Sequence, residues 1–327
     1  MRVRTIDAHS GGGALRLVVE GFPVPLGRTM LDKRDWAVGH ADMLRRALML
    51  EPRGHGGMCG AILTEPTTPG AHAGLLFMDS GGWRMMCGHA VAAVTAVVLR
   101  NRLLVPGGDG RTIVFDTPAG RLRARAEGER FESVSFSCVP SFVLHAGVAV
   151  QLAARLVHVD VAFGGEFYAI VDSEIVGLPI ASSHLPEIAR RAAEIVKGLE
   201  AITAVFHPLE SRLGGIGGVI FTGPSSSPAA DLRSVTVSGY GQAVRSPDAA
   251  GAAAVMALLE AMGLLPDGGR FTLEGPVGTT VTGRLVGRTR VGEIPAVIPE
   301  LEEMAWMTGE HLFLIEDDDP FREGFVF

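Results

Sequence analysis

A cysteine and a histidine stand two positions apart where an apolar stretch begins, in the segment Cys87-Gly88-His89. Residues 90–99 that follow are small and apolar on nearly every side, which predicts a buried helix. The first N–H groups of such a helix lack partners within it, so its start attracts anions and lowers the pKa of a thiol placed there. The sequence therefore predicts that Cys87 is a reactive thiol. The alternative is a packing role, because free cysteine is among the most buried residue types.

A second segment has the same layout as the first. Residues 234–237 predict a strand, and Ser246-Pro247-Asp248 then opens another small-residue stretch over 249–259. Two such segments indicate two similar α/β halves facing each other, with a small-molecule site between them. A purely structural role for Asp248 is equally open, because Ser as N-cap, Pro at the first helical position and an acid in the first turn favour a helix start.

Length and composition limit the class of protein. A chain of 327 residues exceeds the ~250–300 at which one core stops growing, so two domains are expected. We place them at 1–138 plus about 305–327, carrying Cys87, and at 139–304, carrying Asp248. The net charge is −7 and no basic stripe occurs, which argues against nucleic-acid and membrane partners. No signal segment or membrane span is apparent, and three scattered cysteines do not form a disulfide framework, so a soluble cytoplasmic protein is expected.

Most of the remaining pattern is that of strands. Residues 1–20 and 112–143 predict β-structure, whereas 30–50 and 184–200 predict amphipathic helices. We interpret the acidic tail at 316–319 as solvated.

Other groupings of reactive residue types carry less weight. His55, Cys59, Cys87 and His89 are of zinc-ligand type, but neither Cys-x-x-Cys nor His-Glu-x-x-His spacing occurs, so no metal is predicted. Cys59 is interpreted as a packing residue, with a position near the site as the alternative, and His9 and His55 are interpreted as residues that order loops. The glycine-rich stretches do not fit a nucleotide-binding fingerprint, so no redox or nucleotide cofactor is predicted.

A series of motifs runs in order along essentially the whole chain. They are Asp7-Ala8-His9, Leu50–His55, Met86–His89, Thr117–Gly120, Gly164–Ala169, Arg245–Pro247, Thr308–His311 and Asp319-Pro320. Together they resemble the proline racemase superfamily, which includes proline racemases, hydroxyproline epimerases and trans-3-hydroxy-L-proline dehydratases. The resemblance implies the α+β fold shared with diaminopimelate epimerase, in which two similar α/β halves each wrap a mixed sheet around a central helix, with the site at the interface. A homodimer is a further family expectation.

The resemblance also implies roles for site residues. In the racemases, a cysteine at each helix start flanks the substrate α-carbon, and one thiolate removes a proton while the other thiol delivers one to the opposite face. Cys87 falls on the first position, with Gly88 and His89 beside it. At the second position the family pattern Asp-Arg-Ser-Pro-Cys-Gly-Thr-Gly reads Val-Arg-Ser-Pro-Asp-Ala-Ala-Gly over 244–251, so Asp248 replaces the cysteine. Ala249 and Ala250 replace the Gly-Thr of the carboxylate pocket, and racemisation by two thiols is excluded.

The favoured hypothesis is cofactor-independent dehydration of trans-3-hydroxy-L-proline, because the dehydratases of the family keep only the first cysteine. Cys87 is then the base, and Asp248 and His89 hold the ring nitrogen in place of the acid lost at Val244. One alternative is a proline racemase or hydroxyproline 2-epimerase with a Cys87/Asp248 pair, although a helix start favours the carboxylate form of Asp248 over the proton donor. The other is an inactive imino-acid-binding homologue, suggested by the several changes over 244–250.

Overall fold

The computed structural model describes residues 1–153, 155–265 and 269–326. The chain divides into two compact units, which we call unit 1 (Met1–Phe136 with Glu303–Phe327) and unit 2 (Ser137–Glu302). Cys87 lies in unit 1 and Asp248 lies in unit 2.

Unit 1 contains the strands that begin before residue 137, together with three helices. The strands are β1 (Arg2–Ser10), β2 (Gly13–Glu20), β3 (Cys59–Thr64), β4 (Ala73–Asp79), β5 (Trp83–Arg84), β6 (Thr112–Thr117), β7 (Gly120–Glu127) and β8 (Ser133–Ser137), and the helices are α1 (Met30–His40), α2 (Asp42–Met49) and α3 (Gly88–Arg100). The last part of the long strand β18 (Ile294–Leu314) also belongs to this unit.

Unit 2 holds the remaining elements and the first part of β18. Its strands are β9 (Phe142–Gln151), β10 (Leu156–Phe163), β11 (Phe167–Asp172), β12 (Phe206–His207), β13 (Glu210–Gly214), β14 (Ile216–Gly223), β15 (Leu232–Ser238), β16 (Phe271–Glu274) and β17 (Thr280–Val291). Its helices are α4 (Ser173–Val176), a 3-10 turn at Ser182–His184, α5 (Leu185–Ile202) and α6 (Ala249–Ala261).

The sheet of unit 1 curves around α3. Its strands run in the order β1-β2-β3-β4-β6-β7-β8, with β2–β3 and β4–β6 parallel. Helix α3 packs against β1 and also against β7, near the opposite end of this order, which requires the sheet to curl. The end of β18 pairs with β1, and the Ala305 N–H donates to the Glu132 carbonyl at 2.8 Å, so the ring of strands closes around the helix.

Unit 2 repeats this plan around α6. Its strands run in the order β17-β16-β15-β14-β11-β10-β9, with β11–β14 and β15–β16 parallel. Ser141, just before β9, and Val297 of β18 exchange two backbone hydrogen bonds of 2.8 Å, which closes this sheet as well. Helix α6 packs against β9, β10, β11 and β17. The predicted α+β fold, with a mixed sheet wrapped around a central helix in each half, is confirmed.

Small side chains allow the strands to approach the two central helices closely. Residues Gly88–Leu99 of α3 and Ala249–Ala257 of α6 are all buried. A Cβ added at Gly164, in the turn between β10 and β11, would lie 2.1 Å from the Ala250 carbonyl oxygen. Only glycine fits this position, because the backbone of α6 occupies the space that a side chain would need.

Most of the element predictions agree with the structure. The helix predicted over 184–200 is α5, and the β-structure predicted over 112–143 is β6, β7, β8 and the start of β9. The stretch 30–50 forms two helices, α1 and α2, separated at Ala41. In the described part of the chain, no helix combines the length and the apolar character that crossing a bilayer requires.

Candidate active site

Cys87 is the N-cap of α3, as the sequence predicts. Its backbone is extended, with φ −147° and ψ 100°, and its carbonyl accepts the first helical hydrogen bond from the Val91 N–H at 3.2 Å. Residue Cys87 as a whole is of intermediate burial, whereas His89 is buried. The thiol therefore stands at the start of a buried helix.

Two potential proton donors or acceptors lie beside this thiol. Cys59, the first residue of β3, places its Sγ atom 3.0 Å from the Sγ of Cys87. The Nε2 and Nδ1 atoms of His89 lie 3.5 and 3.7 Å from the same sulfur. Cys59 is 4% exposed, which agrees with a packing residue, and its contact with Cys87 agrees with the alternative that it lies near the site.

Burial raises the pKa of the Cys87 thiol well above its ordinary range, and the neighbouring Cys59 sulfur raises that pKa further. His89 acts in the opposite direction and lowers it. The sequence predicted a lowered pKa from the helix start alone, and this prediction is wrong for the thiol in its present surroundings. Loss of hydration destabilises a buried thiolate more than the partial charges of one helix start stabilise it.

The segment that leads into Cys59 is fixed by a buried cation. The Nη1 atom of Arg16 donates to the carbonyl oxygens of Leu48 and Arg53 at 2.7 and 2.6 Å. The Nη2 and Nε atoms of Arg16 donate to the Asp7 carboxylate at 2.8 to 3.2 Å. The motif residue Asp7 thus orients Arg16, and Arg16 holds the chain that precedes β3.

The two histidines assigned to loops from the sequence, His9 and His55, have local contacts. The ring of His9 stacks on Trp306, with 5.1 Å between centroids. The Nδ1 atom of His55 lies 2.9 Å from the Gly56 carbonyl oxygen. The His55 contact agrees with the interpretation that it orders a loop, whereas His9 lies within β1 opposite Trp306 of β18, so the loop interpretation is wrong for His9.

The end of the chain is attached to the same segment through Arg53. The guanidinium of Arg53 donates to the carbonyls of Leu314 and Phe321 at 3.2 and 3.1 Å, and it pairs with the Asp319 carboxylate. The Phe321 N–H and the Arg53 cation lower the pKa of Asp319. The prediction that the whole acidic tail is solvated is therefore wrong for Asp319.

In unit 2, α6 begins two residues later than its local signals indicate. Asp248 is the N-cap, and its carbonyl accepts from the Ala252 N–H at 2.6 Å. Ser246 is not the N-cap that the sequence predicts, and its Oγ atom is buried without a hydrogen-bond partner among the described residues. The backbone at Pro247 packs closely on Gly275: a Cβ added at Gly275 would lie 2.6 Å from the Pro247 nitrogen. We infer that this contact keeps Ser246 and Pro247 out of the helix.

The carboxylate of Asp248 accepts no capping hydrogen bond from the backbone of α6. A Cβ added at Gly251 would lie 3.3 Å from Asp248 Oδ2, so the carboxylate lies close to the first turn. Asp248 is partly exposed, whereas Ala249 and Ala250 are fully buried.

The predicted site residues thus fall into two groups. Cys87, Gly88 and His89 lie together at the start of α3 in unit 1, and the second group, Asp248 to Ala250, lies together at the start of α6 in unit 2. That both groups contact one substrate stays a prediction. The direct contact between Cys59 and the Cys87 thiol was not predicted from the sequence.

One cluster could hold a metal. The ligand atoms of Cys59, Cys87 and His89 all lie within 4.8 Å of one another. His55, the fourth residue considered in the sequence, is not part of this cluster. Spacing alone argued against a metal, yet folding brings these three donors together.

Comparisons with known proteins agree with the geometry. Residues 5–326 match the family described as "Proline racemase". A trans-3-hydroxy-L-proline dehydratase of Bacillus cereus is 39% identical over 324 residues, 98% of this chain and 97% of the relative. A proline racemase of Clostridioides difficile is 35% identical over 330 residues, 99% of this chain and 98% of the relative. The crystal structure of a hydroxyproline epimerase from Agrobacterium vitis with bound trans-4-OH-L-proline superimposes with a TM-score of 0.92 at 26% identity, covering 100% of this chain and 95% of the other.

Proposed function

The chain belongs to the proline racemase family, and from this premise we propose that it removes the Cα proton of a proline-type imino acid without a cofactor and dehydrates trans-3-hydroxy-L-proline. Its relatives carry the names of a lyase and of isomerases, so the protein is an enzyme of one of these two classes. The choice between lyase and isomerase depends on which side chains at the site can remove and deliver protons.

The observation that carries the proposal is the difference between the two helix starts. Cys87 caps α3, whereas the corresponding position at α6 holds Asp248. The only cysteine within unit 2 is Cys138, which precedes β9 and is 4% exposed. A mechanism that uses a single thiol therefore fits this chain better than one that uses a thiol on each side of the substrate.

The stereochemistry of the proposed substrate requires only one proton-transferring group, on one face of the ring. In trans-3-hydroxy-L-proline, the hydroxyl and the carboxylate stand on opposite faces of the ring, so the hydroxyl shares a face with the α-hydrogen. The Cys87 thiolate takes the α-proton, the electrons of the Cα–H bond form the Cα=Cβ bond, and the Cβ–O bond breaks. The new thiol returns its proton to the departing hydroxyl, which leaves as water, and the thiolate is regenerated. The enamine product then tautomerises to pyrroline-2-carboxylate.

Racemisation has a different requirement. A proton must reach Cα from the face opposite to the base, so a second group must act as an acid. In this chain that group would be Asp248, which must then carry a proton although it stands at a helix start that favours the carboxylate.

One neighbour of Cys87, His89, favours its role as a base, whereas burial and Cys59 act in the opposite direction. His89 lies within hydrogen-bond distance of the sulfur and lowers the pKa of the thiol, which favours the thiolate. We assign the binding of the substrate to the two helix starts, whose N–H groups suit a carboxylate. Gly88, Ala249 and Ala250 supply this backbone, and Asp248 with His89 binds the cationic ring nitrogen.

The test is proton NMR of the enzyme with four substrates in D₂O. We expect loss of trans-3-hydroxy-L-proline and growth of pyrroline-2-carboxylate signals. The matched control is cis-3-hydroxy-L-proline, whose hydroxyl lies on the face away from the base, and it should not be dehydrated. L-proline and trans-4-hydroxy-L-proline should give no opposite stereoisomer. Appearance of that stereoisomer, with deuterium at Cα, would contradict the dehydratase and favour a racemase or epimerase that uses Asp248.

A further inference from the structure

A pair of thiols and an imidazole converge at the start of α3. Cys59 comes from β3, whereas Cys87 and His89 come from the start of the helix, so two separate elements contribute donors. The two sulfurs are 3.0 Å apart, and the nearer His89 nitrogen is 3.5 Å from the Cys87 sulfur. The proposed reaction uses Cys87 and His89 but gives Cys59 no task.

We propose that Cys59, Cys87 and His89 bind a thiophilic divalent cation such as Zn²⁺ or Cd²⁺, and that the bound ion blocks the base. Two thiolates and one imidazole form a ligand set that suits zinc and softer metals, with a fourth position open to water. The binding itself is independent of the proposed function. The blocking of catalysis rests on it, because coordination to a cation withdraws electron density from the Cys87 sulfur and makes it a much weaker base toward a substrate proton.

Two of the three ligand separations require little rearrangement, and the third, between Cys59 and His89, lies within 4.8 Å. With metal–sulfur bonds of about 2.3 Å and metal–nitrogen bonds of about 2.0–2.1 Å, tetrahedral geometry separates two sulfurs by roughly 3.8 Å and a sulfur from a nitrogen by roughly 3.6 Å. The sulfurs of Cys59 and Cys87, now 3.0 Å apart, must move apart by less than 1 Å, roughly the adjustment of two side-chain torsions. The separation between Cys87 and His89 already matches, at 3.5 Å.

Charge balance favours binding of the cation at this buried site. Each thiol loses its proton on binding, so the cation with two thiolates and a neutral imidazole carries no net charge. A buried ion with balanced ligand charge avoids the penalty that an isolated buried thiolate pays. About two protons should be released to solvent for each ion bound.

The first experiment titrates the reduced, metal-free full-length protein with Co²⁺ and with Cd²⁺. We expect a thiolate-to-metal charge-transfer absorption that saturates at about one ion per chain, together with about two protons released. Cys59→Ser should lose roughly half of the charge-transfer intensity and weaken binding at least ~100-fold, since even outer-shell partners of a metal site contribute 10–100-fold. Cys138→Ser is the matched control, because it removes a buried thiol outside the cluster, and it should titrate like the wild type. Absence of the charge-transfer band in the reduced wild type, or an unchanged band in Cys59→Ser, would overturn the site.

The second experiment measures turnover in the presence of Zn²⁺, with each variant compared with its own metal-free activity. The wild type should lose activity at a Zn²⁺ concentration that leaves Cys59→Ser active, and a chelator should restore it. Binding by the spectroscopic assay without inhibition would overturn the blocking of the base and count against Cys87 in the proposed function. Inhibition that is equal in the wild type and Cys59→Ser would place the inhibitory ion elsewhere and contradict the proposal.

Discussion

Replacing Gly164 with alanine should displace the start of α6 and destabilise the protein. The added Cβ would lie 2.1 Å from the Ala250 carbonyl oxygen and 2.8 Å from the Ala254 nitrogen, both of them backbone atoms of the helix. Cβ atoms do not approach other heavy atoms closer than 3.0 Å, so helix and turn must separate by about 1 Å at this point. Overpacking of a core costs typically 1–3 kcal/mol, and we place this case near ~3 kcal/mol because neither obstacle is a side chain that can rotate away.

The assay is thermal unfolding of the purified variant, followed by turnover of the proposed substrate. A loss of ~3 kcal/mol should lower Tm by roughly 4 °C, because an unfolding entropy of about 2.1 cal/mol/K per residue amounts to ~0.7 kcal/mol/K for 327 residues. The matched control is Gly39→Ala in α1, where an added Cβ meets nothing within 4 Å, and there we expect unchanged stability or a gain of about 0.5–1 kcal/mol. Turnover by Gly164→Ala should fall further than the folded fraction accounts for, since Ala250 belongs to the proposed substrate-binding backbone. An unaltered Tm would refute the reasoning that α6 and this turn are in rigid contact.

Two further predictions follow from buried charge and from the thiol pair. Asp7→Asn should lower the free energy of unfolding in denaturant by about 3 kcal/mol, because it leaves the buried Arg16 cation without its carboxylate. The control Asp35→Asn removes an exposed partner of Arg34 and should lower it by at most ~1 kcal/mol. Equal losses in the two variants would contradict the buried pair. In the presence of a chelator, kcat/KM should rise about tenfold per pH unit from pH 7 upwards, because burial raises the pKa of the Cys87 base and only the thiolate reacts. Cys59→Ala should move this rise to lower pH, since Cys59 raises that pKa, and a shift to higher pH would refute the coupling.

The central helix of unit 1 could be predicted because its signal is local. Residues 90–99 are apolar except for Thr95, and Cys87 stands three positions before them, so composition alone places the thiol close to a helix start. The motifs then indicated the family and its α+β fold.

What the sequence could not provide depends on contacts between distant segments. Cys59 reaches Cys87 only because β3 pairs in parallel with β2 and antiparallel with β4 at a particular register, which places its first residue beside the start of α3. Burial of the thiol then reverses the direction of its pKa shift, and burial is a property of the whole unit.

Local rules also failed where tertiary packing overrides them. Ser246 and Pro247 are favourable residues for the start of a helix, but their close contact with Gly275 delays α6 to Ala249. Asp319 looks like one acid in a solvated tail, yet it pairs with Arg53, more than 260 positions earlier in the chain.

The most direct test of Cys87 as the base is the exchange of the substrate α-hydrogen in D₂O, followed by NMR with chelator and reductant present. Wild-type enzyme should replace or eliminate the Cα proton of trans-3-hydroxy-L-proline. Cys87→Ser should lose this reaction by several orders of magnitude while its unfolding midpoint stays close to that of the wild type, and Cys138→Ser should react normally. Exchange at the wild-type rate by a folded Cys87→Ser protein would contradict the account.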